Sequence, residues 1–342
     1  MTDPISAIPA ALATTQRLEQ LLAQPFPVAD IALQVSAKMG LSLFPDHGHT
    51  THDLYRHMDI AMHQAKKRGV QLAVFNPVDS PNHTHRLNMA GELQRAIQMG
   101  DLRLYLQPKL SFHNGEVCGA EGLVRWQHPT RGLVPPGEFI ALAEHTGLIQ
   151  PLTEWVIETA MRLTQEWERL DQPLPIAVNL SARNLRDERL LEKIRAWQTT
   201  LGTQASWLEL EITETAVMED AELALRVLHS LRESGISLYI DDFGTGYSSL
   251  SYLQKLPVEY IKIDQSFVRE LDRNKDSAVI VRSTIDLAHD LGRKTVAEGV
   301  ETQAQWDLLA SLGCDMAQGY FIARPMPAEN FLPWRTAFHA RR

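Results

Sequence analysis

Cysteine is scarce in this 342-residue sequence, which contains only Cys118 and Cys314. Two cysteines cannot build a disulfide framework, so we expect reduced thiols and a cytoplasmic protein. No apolar run approaches the roughly 18 residues that a membrane span requires. The start, Met1-Thr2-Asp3-Pro4, lacks the positive charges of a signal peptide. We therefore expect no membrane segment in this chain, allowing for an additional sensor or membrane region in the full-length native protein.

An excess of positive charge is also missing, because 33 lysines and arginines face 42 acidic residues, for a net charge of −9. A protein that binds nucleic-acid polymers usually carries a basic stripe, so this class of partner is disfavoured. A small anionic ligand stays possible, since bound metal ions can meet its charge. The composition, 44% hydrophobic and 22% charged, is that of an ordinary globular protein with a normal core.

Residues 1–76 have the pattern of a small α/β segment. We predict a helix around Ala10–Leu22, a strand pair across Ile31–Ser42, an amphipathic helix over His52–Arg68 and a last strand over Gln71–Phe75. Residues 77–85 are polar and contain two prolines, which is typical of a linker that leads into a helix. We therefore divide the chain into a first segment (1–76), a linker (77–85) and a larger domain (86–342).

Helical and strand patterns alternate through the larger domain, which predicts a parallel sheet with crossover helices. About eight strands in roughly 250 residues favour a closed (β/α)8 barrel of the TIM type. The open alternative, a doubly wound sheet, lacks the support of a Gly-x-Gly-x-x-Gly turn after a strand. His113-Asn114-Gly115 connects the first two strands, and Asn-Gly is a hairpin turn. We therefore expect a barrel that is irregular in having one antiparallel strand.

Polar residues follow successive apolar runs at the predicted strand ends. Five of them are carboxylates, two are amides and one is a lysine: Glu121, Asn179, Glu211, Asp241, Asp242, Lys262, Glu298 and Gln318. Strands of a parallel barrel deliver such groups to a common rim, where active sites lie. The five carboxylates and the lysine leave a net charge of −4, which two divalent cations would balance. Oxygen ligands without a His/Cys cluster favour Mg²⁺ or Mn²⁺ over zinc.

Each of these residues also has an ordinary structural interpretation. Asp241-Asp242 before Phe243-Gly244 is compatible with a simple Asx turn. Lys262 could pair with Asp264, and Asn179 could cap a helix. Arg125 could be a surface strand residue, and Glu209 could be a solvated residue at a strand entry, so we assign it no role. The scattered histidines are interpreted as solvated residues. The repetition at strand ends favours the metal site.

The motifs resemble the EAL domain family, the cyclic di-GMP phosphodiesterases. Glu121-Gly122-Leu123-Val124-Arg125-Trp126 is similar to the family motif Glu-Ala-Leu-Leu-Arg-Trp. Later family motifs match in order: Asn179-Leu180-Ser181, Glu211-Ile212-Thr213-Glu214, Asp241-Asp242-Phe243-Gly244-Thr245-Gly246, Lys262-Ile263-Asp264, Ala297-Glu298-Gly299-Val300-Glu301 and Gln318-Gly319-Tyr320. The resemblance covers residues 86–336 and implies a modified TIM barrel with one antiparallel strand.

The resemblance also implies roles for individual residues. Glu121, Asn179, Glu211 and Asp241 would ligate one metal ion, and Asp241, Asp242 and Glu298 the second. Lys262, with Glu121 and Glu298, would take part in catalysis by orienting the attacking water, and Gln318 would lie beside the site. Gln107, Leu123 and Arg125 would contact the dinucleotide, with Tyr320 near a guanine. Glu214 would anchor the loop after Phe243, which in the family adjoins a homodimer contact through the barrel. The implied reaction opens cyclic di-GMP to linear pGpG.

Two departures from family patterns are visible. Gly122 replaces the alanine of the EAL motif, and we expect metal binding to survive this change. Residues 1–76 resemble the C-terminal half of a GGDEF domain, for example in Ser36-Ala37-Lys38-Met39-Gly40 and Met58-Asp59-Ile60-Ala61. The loop that gives that domain its name is absent, so we expect no cyclase activity and interpret the segment as truncated.

Three functional hypotheses follow. The first is a metal-dependent cyclic di-GMP phosphodiesterase. The second is a non-catalytic cyclic di-GMP receptor, which would be marked by lost metal ligands, and none is lost in the sequence. The third is a barrel enzyme that acts on an unrelated sugar phosphate, because a fold alone does not fix a function.

Overall fold

The computed structural model describes residues 13–15, 17–18, 21, 26–28, 31–33, 37–76, 80–187, 189–244 and 250–340. The chain divides into two compact units, Met1–Gly91 and Glu92–Arg342. Each unit is treated by itself below. Within the described part of the chain, no helix is both long and apolar enough to cross a bilayer.

The described residues of the first unit include two small two-stranded sheets and a long helix between the strands of the second sheet. Strands β1 (Phe26–Val28) and β2 (Ile31–Leu33) pair antiparallel. Strands β3 (Met39–Leu41) and β4 (Leu72–Val74) pair parallel, and helix α1 (Thr51–Lys67) lies between them in the sequence. The strand pair predicted across 31–42 is therefore wrong, because β2 and β3 each pair elsewhere and the crossover helix allows β3 and β4 to run parallel. The helix predicted around 10–22 lies mostly outside the described residues.

Helix α1 and the last strand agree with the sequence pattern. Thr50 caps the helix, because its hydroxyl accepts a hydrogen bond from the backbone N–H of Asp53 at 3.1 Å. Ile60 and Ala61 on its apolar face pack with Phe75, which follows β4. Helix α2 (Ser80–Met99) begins inside the segment predicted as a linker, so residues 80–85 are helical. Pro81 is compatible with this, since a proline is tolerated in a first helical turn.

The second unit is a closed barrel of eight strands with two short additional strands. The barrel strands are β5 (Leu102–Ser111), β6 (Val117–His128), β8 (Ile176–Leu180), β9 (Leu208–Thr213), β10 (Ser237–Phe243), β11 (Tyr260–Ile263), β12 (Lys294–Ala297) and β13 (Met316–Ala317). Strand β5 pairs antiparallel with β6 and with β13, which closes the barrel. The pairs from β6 through β13 are parallel. The predicted TIM-type barrel with one antiparallel strand is confirmed. The short strands β7 (Gly132–Val134) and β14 (Met326–Pro327) extend it at β6 and β5.

Helices connect the strands along the outside. They are α3 (Pro136–Thr146), α4 (Ile149–Arg169), α5 (Ala182–Leu185), α6 (Leu190–Leu201), α7 (Glu214–Glu219), α8 (Ala221–Glu233), α9 (Leu250–Lys255), α10 (Gln265–Arg269), α11 (Lys275–Asp290), α12 (Gln303–Ser311) and α13 (Ala328–His339). Gly235 and Gly292 end α8 and α11 with φ of 85° and 70°, the left-handed conformation expected after a helix.

The period of two along β9 explains how the barrel holds charge in its interior. Leu208, Leu210 and Ile212 are buried, at 2%, 0% and 0% exposure. Glu209 and Glu211 alternate with them and share the opposite face of the strand, which points into the barrel. A carboxylate in such a place requires a cation or a hydrogen-bond donor.

Candidate metal centre

Lys262 lies at the centre of the acidic group. From β11 its ammonium contacts Glu211 Oε2 and Glu298 Oε1, both at 2.6 Å, and Asp241 Oδ2 at 3.2 Å. A fourth carboxylate, Glu121, lies 3.9 Å away. The pairing of Lys262 with Asp264 that the sequence allowed is wrong, because Asp264 caps helix α10 by accepting from the backbone N–H of Ser266 at 3.0 Å. Four strands therefore direct their carboxylates toward one buried lysine.

Glu121 is held by two side-chain amides. Asn179 Nδ2 donates to its Oε1 at 2.8 Å, and Gln318 Nε2 donates to its Oε2 at 2.5 Å. Asn179 caps no helix, since Ser181 caps α5 in a reciprocal capping box with Asn184. This leaves the Asn179 amide group available to the acidic cluster, as the metal-site interpretation requires.

The end of β10 brings two adjacent aspartates to one place. The pairing of β10 with β11 shifts register between Ile240 and Phe243, and Asp242 adopts a left-handed conformation with φ of 54°. Adjacent residues of a regular strand point to opposite faces, so this bulge is what lets both side chains reach the same side. One carboxylate oxygen from each of Asp241, Asp242 and Glu298 lies within 4.8 Å of the other two. Asp241 and Asp242 thus form more than a simple turn.

Burial and neighbouring charges shift the pKa values of the carboxylates in different directions. Burial would raise the pKa of Glu121, but Lys262 and the amides of Gln318 and Asn179 outweigh it, so the pKa lies below its ordinary value. Burial raises the pKa of Glu211 to about 7, with Lys262 offsetting only part of the effect. Burial and Asp241 likewise raise the pKa values of Glu298 and Asp242. Burial would lower the pKa of Lys262, but Asp241 and the other carboxylates raise it well above its usual range.

These features fit a divalent cation held by oxygen ligands. The ionised forms of several of these carboxylates are disfavoured. The cluster therefore holds more negative charge than Lys262 alone balances. In the described part of the chain, Oε1 of Glu211 is also buried without a hydrogen-bond partner. Carboxylate and amide oxygens within a few ångströms of one another are the ligand set of Mg²⁺ or Mn²⁺. The residues present are therefore suitable for such an ion.

Two cavities share Leu123 in their walls. The first, of about 280 Å³, is polar and is lined by all five predicted substrate-binding residues, Gln107, Leu123, Arg125, Gln318 and Tyr320, together with Glu121, Asp241 and Glu298. The second, of about 430 Å³, is lined mainly by apolar side chains between β6, β8, α3 and α4, and includes Asn179 at its edge.

The structure brings most predicted site residues together. Gln107 and Gln318 are 7% and 4% exposed and hydrogen bond to each other at 3.1 Å, while Tyr320 is 49% exposed at the cavity mouth. Arg125 is half-buried and lies over the ring of Tyr105, so it is not a surface strand residue. Glu214 lies apart from the acidic cluster, and its Oε2 accepts a hydrogen bond from the backbone N–H of Gly244 at 3.3 Å. The loop residues 245–249 lie outside the described residues.

Sequence reasoning missed Lys109 and misjudged Glu209. Glu209 is 6% exposed and pairs with Lys109 at 2.5 Å, so it is not a solvated residue at a strand entry. Lys109 shares a strand face with Gln107, two residues earlier, and this period of two was the signal that could have placed it inside the barrel. Arg269 and Glu301, which pair at 3.3 Å beside the smaller cavity, carried no such signal.

Comparison with known proteins places these observations in a family. The model of the EAL domain matches residues 90–325, and the model of the diguanylate cyclase GGDEF domain matches residues 5–71. The bifunctional diguanylate cyclase/cyclic di-GMP phosphodiesterase MucR of Pseudomonas aeruginosa is 40% identical over 329 residues, which are 95% of this chain and 48% of MucR. The cyclic di-GMP phosphodiesterase PdeR of Escherichia coli is 38% identical over 323 residues, which are 94% of this chain and 49% of PdeR.

This chain therefore spans about half the length of these curated relatives. Among solved structures, the PaMucR phosphodiesterase in complex with c-di-GMP is similar, with 43% identity and a TM-score of 0.69 over 71% of this chain and 99% of that one. The FimX EAL domain of Pseudomonas aeruginosa bound to c-di-GMP has 26% identity and a TM-score of 0.64 over 69% of this chain and 95% of that one. Since the EAL model matches more than half of its length, the chain belongs to the EAL domain family.

Proposed function

We propose that the barrel hydrolyses cyclic di-GMP to linear pGpG with the help of two divalent cations, Mg²⁺ or Mn²⁺. The observation that carries the proposal is the cluster of Asp241, Asp242 and Glu298, whose carboxylate oxygens lie within 4.8 Å of one another beside buried Lys262. The names of the relatives MucR and PdeR support the substrate class. The relative PaMucR has been solved with c-di-GMP, which supports a ligand of this size and charge.

The proposed ligand set follows the placement of the oxygen donors. Asp241, Asp242 and Glu298 would hold one cation, and Glu121, Asn179, Glu211 and Asp241 the other, with Asp241 shared. When bound, the cations would lower the pKa of a nucleophilic water and stabilise the leaving oxygen. With a water as the nucleophile, the reaction needs no nucleophilic side chain. The described residues that line the polar cavity include no serine or cysteine.

The chain's own side chains would position the substrate and the attacking water. Lys262 is fully buried in the cluster and would donate a hydrogen bond to the water while it holds Glu298 and Glu211 in place. Lys262, with the amides of Gln318 and Asn179, favours the ionised form of Glu121, and the two amides orient it. Arg125, with Gln107, Leu123 and Tyr320, lines the polar cavity, where a cation and amide groups suit a phosphate and a guanine edge. The bond between Glu214 and Gly244 N–H would anchor the loop that follows Asp242.

The experiment is a hydrolysis assay of the purified chain with cyclic di-GMP, with Mn²⁺ or with a chelator. We expect pGpG only with the metal, and its loss in Glu121→Ala. A matched control is Glu116→Ala, an exposed glutamate outside the site. Tight cyclic di-GMP binding without turnover in Mn²⁺ would instead establish the receptor alternative, and hydrolysis of a different phosphodiester would establish a different substrate.

We also propose that the barrel forms a homodimer. The support is the likeness of the Asp241–Leu250 motif to that of the family, in which the loop adjoins the dimer contact. Helix α11 additionally exposes two apolar side chains, Val279 at 63% and Ile280 at 38%. Sedimentation at micromolar concentrations tests the proposal, and a species of monomer mass throughout would contradict it.

A further inference from the structure

A second group of buried charges lies below the candidate metal centre. Lys109, on β5, is 1% exposed, and its ammonium bonds to Glu209 Oε2 at 2.5 Å. The same ammonium lies 3.8 Å from Glu211 Oε1 and 4.2 Å from the centre of the Tyr239 ring. The proposed reaction assigns no role to Lys109. A fully buried lysine is costly, so its retention in the barrel requires an explanation.

The barrel is shaped to admit this side chain. Lys109 pairs with Gly119 on the neighbouring strand, and a Cβ atom at Gly119 would lie 3.3 Å from Lys109 Cε. The absence of a side chain at Gly119 therefore leaves the lysine a path across the interior. The face of Tyr239 then receives the ammonium, a favourable cation–π arrangement. Burial would lower the pKa of Lys109, but Glu209 and Glu211 outweigh it and keep the lysine charged.

Glu211 lies between the two lysines of the barrel interior. Its Oε2 bonds to Lys262 at 2.6 Å, on the side of the acidic cluster. Its Oε1 faces Lys109 and has no hydrogen-bond partner among the described residues. A carboxylate that gives one oxygen to a metal needs its other oxygen held, and such outer partners orient the ligand.

We propose that Lys109 is a positioning residue for Glu211: it holds the inner oxygen of this carboxylate so that the outer oxygen is directed to a metal ion. Glu209 and Tyr239 fix the ammonium at the correct depth, and Glu209 cancels its charge. This inference rests on the proposed role of Glu211 as a metal ligand. It concerns metal affinity and needs no contact between Lys109 and the substrate.

Positioning and simple charge effects predict opposite results for the loss of Lys109. Its ammonium is a positive charge beside a site that attracts cations, so removal would tighten metal binding if charge were its whole contribution. Loss of an outer partner of a metal ligand typically weakens metal affinity by about 10–100-fold. The sign of the change therefore decides between the two effects.

The test measures Mn²⁺ binding to the metal-free protein by calorimetry, without substrate. Lys109→Met removes the ammonium, and Lys109→Met/Glu209→Gln removes the neutral pair together. We expect the Kd for Mn²⁺ to rise about tenfold or more in both variants. The matched control, Lys193→Met/Glu154→Gln, removes a half-exposed pair of the same 2.5 Å length, and its Kd should stay within twofold of the wild type.

Binding in either folded variant that equals or exceeds that of the wild type would overturn the proposal. The double variant should disturb folding less than Lys109→Met alone, because it does not leave a buried carboxylate of the pair without its cation. Circular dichroism and the unfolding midpoint of the metal-free protein establish that each variant is folded. Raising the Mn²⁺ concentration should return the turnover of the variants toward the wild-type value, which a misfolded barrel would not show. A wild-type chain that binds Mn²⁺ but does not hydrolyse cyclic di-GMP would contradict the proposed function and leave this inference standing.

Discussion

The ammonium of Lys262 lies 2.6 Å from Oε2 of Glu211, and neither side chain is exposed to solvent. Three further carboxylates lie within 4 Å of the same ammonium, so a single positive charge serves four negative ones. Such an arrangement is poorly balanced unless more positive charge is supplied. The balance between Lys262 and added cations therefore governs both stability and activity in the proposed mechanism.

The first prediction is that Lys262→Met destabilises the metal-free protein strongly. Removal of one partner from a buried ion pair costs about 3–5 kcal/mol, because the remaining charges lose their compensation. We expect this loss in the free energy of unfolding from urea titrations with a chelator at pH 8. Saturating Mn²⁺ should recover much of the stability but not the hydrolysis. Lys193→Met, at a half-exposed pair, is the control, and an equal loss in both variants would contradict the prediction.

The second prediction concerns pH and Glu211. Its pKa in the folded protein is raised to about 7 by burial, from an ordinary value of 4.5. A raised pKa contributes stability that is fully present below the unfolded value and is lost as the pH rises through the folded value. The metal-free protein should therefore lose stability between about pH 4.5 and pH 7, by on the order of 3 kcal/mol from this group.

Glu211→Gln tests that assignment, because glutamine keeps the shape of the protonated acid. At pH 8 without metal, the variant should have a higher free energy of unfolding than the wild type, and the difference should vanish near pH 4.5. Glu158→Gln, at a surface pair with Arg162, should show no such pH dependence. A metal-free Glu211→Gln that is less stable than the wild type at both pH values would contradict the assignment.

The sequence was sufficient to predict the rim of the barrel because strand ends in a parallel barrel meet at one place. The order of the strands alone predicts that Glu121, Glu211, Lys262 and Glu298 lie together. It does not predict which charged side chains pair deeper inside the barrel. Lys109 and Glu209 are 100 residues apart, and their contact depends on barrel closure, which brings β5 opposite β9. The sequence did place Asp242 with Asp241 at the rim, and the bulge at the end of β10 is the structural feature that allows it.

The third prediction concerns Gly122, which stands where the family motif has alanine. A Cβ atom there would lie 3.2 Å from the carbonyl oxygen of Ala177, 3.3 Å from Ile176 and 3.4 Å from Leu104. Overpacking of this kind costs about 1–3 kcal/mol, whereas replacing a strand glycine gains roughly 0.5–1 kcal/mol. Gly122→Ala should therefore lower the free energy of unfolding by about 1 kcal/mol in urea titrations. Mn²⁺ affinity should not change, and a clear gain in stability would contradict the packing argument.

The fourth prediction separates substrate binding from chemistry at Arg125. This arginine is half-buried, lies over the Tyr105 ring at 5.5 Å and lines the polar cavity. Burial lowers its pKa from the ordinary value, and an arginine side chain stays charged in proteins. A charged hydrogen bond to the ligand contributes about 1.5–3 kcal/mol, which corresponds to roughly a 10–100-fold change in affinity.

Arg125→Met should therefore raise the KM for cyclic di-GMP about tenfold or more and leave kcat within about threefold, since binding of the ground state and the transition state is weakened alike. Mn²⁺ affinity without substrate should stay at the wild-type value, because Arg125 offers the cation no ligand. Arg131→Met is the matched control: its guanidinium pairs with Glu138 at 2.6 Å, outside both cavities. An unchanged KM in a folded Arg125→Met would remove this arginine from the substrate site, and a fall in kcat alone would move its role to the chemical step.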